Sequence, residues 1–160
     1  MGLWARQVKA HGWVEVSDIT PGDSEFPLDV VADITDRDSR LSIWWVEDQN
    51  ASGMGPLVAA LHTHETRQLS SMTFRLMAGE QMANLNMTPM RDPKGARSLD
   101  DYLNRNSHFV IPAKTVSDAI RIARALSKLP ALEFGQAQVV EHFLASLRAA
   151  RIDRKKYMLI

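Results

Sequence analysis

The stretch RLSIWWVE, residues 40–47, constrains the fold more than any other. As a strand it turns Leu41, Ile43 and Trp45 to one side and Ser42, Trp44 and Val46 to the other. Large apolar groups then lie on both sides, which suits a sheet covered on both faces. The alternation predicts a central strand, in which Trp45 is a core aromatic if buried and a binding hot-spot candidate if it lies at the surface. LDVVADI precedes it across TDRDS, whose residues have turn chemistry, so the two segments read as a hairpin.

The rest of the chain fits around such a sheet. WVEVS, MTFRLM and HFVI read as further short strands. LWARQVKA reads as a short helix, with Trp4 and Val8 one turn apart and Gly12 ending it. Thr115 and Asp118 have the spacing of a capping box. After them Val116, Ala119, Ile120, Ala123 and Leu126 recur at helical spacing until Pro130. A second helix is expected from about Gln136, with Val140, Phe143, Leu144 and Leu147 on one stripe. A shorter one can begin at Ser98, where Asp101 follows three residues on. The expected class is α+β: a mainly antiparallel sheet of about four to five strands from the N-terminal two thirds, with two C-terminal helices packed on one face.

A chain of 160 residues, 45% apolar and 24% charged, can bury a core as a single domain spanning 1–160. Having no cysteine, it excludes disulfides, thiolate metal sites and a cysteine nucleophile. No secretory h-region and no apolar run of membrane-spanning length is visible, so a soluble cytoplasmic protein is expected. Net charge is zero, yet residues 1–60 carry ten acids and four bases and residues 61–160 nine acids and fifteen bases. The halves attract each other in one fold, or steer a partner.

Two patterns suggest a metal. In GPLVAALHTHE, 55–65, a strand would put His62 and His64 on one side, where they could share zinc with Glu65. A helix would set them about 200° apart and prevent sharing. Pro56 and the Leu/Ala-rich LVAAL favour the helix, with the histidines near its C-terminus. LHTHE resembles the histidine pair of the JAMM-type zinc isopeptidases. Glu65 stands where that family has proline, and no aspartate follows Ser70 and Ser71.

The second pattern is acidic. Asp29 or Asp33 precedes Glu47-Asp48-Gln49, an order that resembles restriction-type nucleases, in which paired carboxylates hold Mg²⁺ and a lysine follows. Gln49 occupies the lysine's place. The alternative catalytic set is therefore Asp33, Glu47 and Gln49. The plain reading is that these acids keep strand ends in solvent.

The segment NMTPMRDPKGARS, 86–98, reads as a long surface loop because Pro89, Pro93 and Gly95 interrupt regular structure. Met72, Met77, Met82 and Met87 fall five apart, which matches neither helix nor strand, so they fill core gaps or make adaptable contacts. Met82, Met87 and Met90, beside Arg91, Lys94 and Arg97, form the candidate partner-binding set. The basic end, with Arg148, Arg151, Arg154, Lys155 and Lys156, admits a nucleic-acid contact, or reflects a helix C-terminus. No P-loop, nucleophile elbow or Ser-His-Asp pattern is present.

Two function classes follow. The sequence favours a non-enzymatic cytoplasmic binding protein that acts through protein–protein contact, as a subunit of an assembly or an inhibitor of the immunity type, without a cofactor and away from membranes. The alternative is a metal-dependent hydrolase using Mg or Zn.

Overall fold

Leu3–Val8 forms β1, a strand hydrogen-bonded on both sides, and the sheet is built outward from it. The computed structural model describes residues 2–8, 40–50, 53–58, 61, 70–92, 107–149 and 151. The later strands are β2 (Arg40–Val46), β3 (Met72–Ala78), β4 (Met90–Arg91), β5 (His108–Pro112) and β6 (Ala131–Phe134). Their order is β4-β5-β2-β1-β3-β6, and every described pairing is antiparallel. The helices are α1 (53–58), α2 (Gly79–Asn84), α3 (Val116–Ser127) and α4 (Gln136–Ala149). The class is α+β, as expected, and the sheet has six strands among the described residues, where four or five were expected.

Two expectations are corrected. LWARQVKA is not a helix, because Leu3–Val8 pairs along its whole length with β3 and at Leu3, Trp4 and Ala5 with β2. Pairing on two sides overrides a weak local preference. The strand ALEF, 131–134, separates the two C-terminal helices and is an outer strand of the sheet among the described residues. In consequence those helices do not share a face.

The pleat explains how the helices divide. Trp4, Val8, Leu41, Ile43, Met77, Phe109 and Ile111 point to one side, where they pack with Met82 and Leu85 and with Ala119, Ile122, Ala123 and Leu126 of α3. Leu3, Ala5, Trp44, Val46, Met72, Phe74 and Phe134 point to the other, against Met54, Leu57 and Val58 of α1 and Val139 of α4. The sheet is covered on both faces, as RLSIWWVE demands.

Local chemistry fixes the helix ends. The Thr115 hydroxyl accepts from the Asp118 backbone N–H and the Asp118 carboxylate accepts from that of Thr115, each at 3.1 Å. That capping box starts α3 where the sequence placed it. Val116, at the first turn, is 67% exposed, and the buried stripe runs through Ala119, Ile122, Ala123 and Leu126. In α4 the buried residues are Val139, Phe143, Ser146 and Leu147, about one residue round from the expected stripe. Gly55 of α1 seats against Ser146 and His142, which draws that side of α4 inward.

Among the described residues the two outer strands of the sheet are guarded. β4 has two residues between Pro89 and Pro93, and β6 has four after Pro130. Short strands flanked by proline resist pairing with another chain.

Candidate functional site

The tryptophan dipeptide divides between core and surface. Trp44 is 8% exposed and lies against His108 with ring centroids 5.4 Å apart. Trp45, on the opposite side of β2, is 37% exposed. Of the two readings of Trp45 the exposure favours the surface one: β2 is central, but near its end the covering layer leaves this indole in contact with solvent.

Trp45 belongs to an aromatic group. Its register partner across β1–β2 is Trp4, with centroids 4.9 Å apart and ring planes at 66°. Trp4 meets Phe109 of β5 edge to face, with centroids 5.0 Å apart. Such geometry sets ring edges against ring faces, the arrangement aromatic pairs favour. The backbone at Gly2 crosses directly over the Trp45 indole, with no room for a Cβ.

Glu47 follows the end of β2 in a bend and is exposed. Arg91 of β4 is exposed and faces Phe109 in register, so it lies on the same side of the sheet as Trp45.

The other candidate partner-binding residues separate. Met82 is 4% exposed and packs in the core, so it offers no surface to a partner in this state. Met87 is half-buried against the same core. Met90 is 48% exposed, but it pairs with Val110 and so lies on the opposite side from Arg91. Within the loop expected at 86–98, Met90 and Arg91 form strand β4, extended by a backbone bond from Asp92 N–H to the His108 carbonyl at 3.2 Å. Lys94 and Arg97 lie outside the described residues.

The metal candidates are only partly described. Helix is present over 53–58 and at Leu61, as the Pro56 argument favours, while His62, His64 and Glu65 lie outside the described residues. So do Asp29 and Asp33. Glu47 and Gln49 are exposed, and the Asp48 carboxylate accepts from the Asn50 backbone N–H at 2.8 Å, which turns the chain toward α1. Among the described residues no group of three His, Asp or Glu side chains could hold a metal ion. His108 has a structural role: its Nδ1 lies 2.7 Å from the Asp92 carbonyl oxygen and ties β4 to β5. His142 stacks edge-on with Phe134 at 5.1 Å. Of the basic C-terminal cluster, Arg148 and Arg151 are exposed, and Arg154, Lys155 and Lys156 lie outside the described residues.

Sequence reasoning missed Trp4 as the neighbour of Trp45, and Phe109 as the neighbour of Trp4. Reading residues 3–10 as a helix removed the strand that brings Trp4 beside Trp45. Among the described residues no helix is long and apolar enough to cross a membrane. No protein family, no characterised protein and no solved structure matches the chain.

Proposed function

We propose that this chain is a non-enzymatic binding protein that acts through protein–protein contact, as a subunit of an assembly or an inhibitor of the immunity type. The observation that carries the reading is Trp45, a tryptophan 37% exposed on a central strand and packed on Trp4, which in turn packs on Phe109. Tryptophan is enriched at interface centres, where one desolvated ring can dominate the affinity. A packed T-shaped cluster loses little rotamer freedom when it is covered. Arg91, Met87 and Trp45 make up the proposed contact face, and Lys94 and Arg97 extend the basic side of the same segment in sequence.

The test is capture from native lysate by the immobilised chain, run beside Trp45→Ser. A protein retained by the natural chain and lost with Trp45→Ser, under conditions where circular dichroism shows the variant fully folded, supports the reading. Equal retention by both, or no retained protein, counts against it. Thermal shift with Zn²⁺, Mn²⁺ or Mg²⁺ provides the opposing arm. Stabilisation that grows with metal concentration would point to a hydrolase with a metal site instead.

A further inference from the structure

The side of the sheet that carries Trp45 also carries most of the charge built into the strands. Arg6, Arg75 and Arg91 alternate onto it, against a single acid, Glu133. The helices on this side add Arg121, Arg124 and Lys128 at α3, with Asp118 and Glu80 as their acids. Arg6 and Arg75 are cross-strand partners engaged within the fold. Arg6 donates to the Ser42 carbonyl and Arg75 to that of Leu129. Arg91 is the exposed one of the three. It faces Phe109, which in turn faces Ile43, two residues before Trp45. With strands about 4.8 Å apart and about 3.4 Å per residue, Arg91 lies roughly 12 Å from Trp45.

We infer that the partner presents an acidic segment to this face, with a carboxylate on Arg91 and an apolar side chain over Trp45. This deepens the protein-contact reading and rests on it. The distance sets the spacing within the partner. In an extended segment it corresponds to about four residues, an even separation that turns both side chains to the same face. Arginine suits the charged end, because its planar fork holds a carboxylate with two parallel hydrogen bonds. Arg91 interacts within its own chain and is exposed, so the partner's carboxylate adds to an existing contact.

Two observations favour an acidic protein over a nucleic acid as the source of that negative charge. Stacking a base needs a clear ring face. The Gly2 backbone and the Trp4 ring already occupy two sides of the Trp45 indole. A phosphate chain also needs a run of exposed cations. Of the three strand arginines on this side, Arg91 alone is exposed.

Nuclear magnetic resonance titration of the ¹⁵N-labelled chain tests the inference. The probes are two short synthetic peptides and an oligothymidylate. Each peptide carries a leucine about four residues from its one charged side chain, glutamate in the first and lysine in the second. The Trp45 indole N–H signal is identified by its loss in Trp45→Phe. That signal should shift with the glutamate peptide, which should bind at least about threefold more tightly than the lysine peptide. Arg91→Glu, a surface change, should reverse the order of the two peptides. Equal binding of both, an order that Arg91→Glu leaves as it was, or no shift with either overturns the inference. So does a shift with the oligothymidylate and with neither peptide, which would make the ligand a nucleic acid. The protein-contact reading fails separately: a captured protein lost with Trp45→Ser but retained by Arg91→Glu keeps that reading and removes only the acidic segment.

Discussion

Gly55 of α1 faces Ser146 of α4 so closely that a Cβ on the glycine would lie 3.4 Å from the serine Oγ. The next nearest atom is the His142 Cβ at 3.9 Å. The seam between the two helices admits one methyl group and little more.

Gly55→Ala should therefore be neutral or stabilising by up to about 1 kcal/mol, since alanine suits a helix better and meets only ordinary contacts. Gly55→Val should cost about 1–3 kcal/mol, the range for overpacking a filled seam. Denaturant midpoints of the two variants check both signs. A destabilised alanine variant would mean that the seam is tighter than the structure describes.

The capping box at α3 makes a pH prediction. The Thr115 side-chain hydrogen bond, with help from the Thr115 backbone N–H and the nearby Arg121 guanidinium, holds the Asp118 carboxyl below the usual range. Its ordinary value is about 3.9. A lowered folded value contributes stability that is fully present above the ordinary value and is lost as pH falls through the folded one. Acid unfolding followed by circular dichroism should show a weaker dependence below about pH 4 for Asp118→Asn than for the natural chain. Parallel profiles would remove Asp118 from the account.

Arg75 lies buried on β3, with its Nη1 donating to the Leu129 carbonyl just past α3 and its Nε without a partner among the described residues. Burial pushes its affinity for a proton down, and the Glu133 carboxylate pushes it back up. Arg75→Ala should cost about 1.5–3 kcal/mol, the range for a hydrogen bond to a charged group. Arg75→Met, which keeps an apolar stem and buries no charge, should recover part of that loss. Equal losses for the two variants would argue that the charge, and not the packing, holds this corner.

Glu47 and Gln49 are exposed at a strand end and have no described carboxylate beside them except Asp48, which is held in its own turn. Changing Glu47 to alanine should alter stability by no more than about 0.5 kcal/mol. It should leave any metal-dependent thermal shift unchanged. Loss of such a shift with this variant would revive the nuclease-like arrangement.

Much of the fold was legible wherever pattern and local chemistry agree. The Thr115–Asp118 pair announced α3, and the alternation in 40–46 required cover on both faces. β1 was not legible, because Trp4 and Val8 fit a helical turn as well as a strand side, and only pairing with β2 and β3 decides between them. β6 was hidden because four residues after Pro130 are too few to show a period. The site suffered most from the first of these. With β1 read as a helix, nothing placed Trp4 beside Trp45, and alternation on a central strand does not decide whether Trp45 is core or surface. Its exposure depends on how far the covering layer extends along β2, which no local pattern encodes.

The two adjacent tryptophans provide the most direct test of the central claim that Trp45 is held at the surface for contact while Trp44 builds the core. Equilibrium unfolding in denaturant should give a loss of about 3–5 kcal/mol for Trp44→Ala, the range for a buried aromatic. Trp45→Ala should lose clearly less, about 1–2 kcal/mol, mainly through its packing on Trp4. Equal losses for the two variants would contradict the account, because Trp45 would then be a core residue.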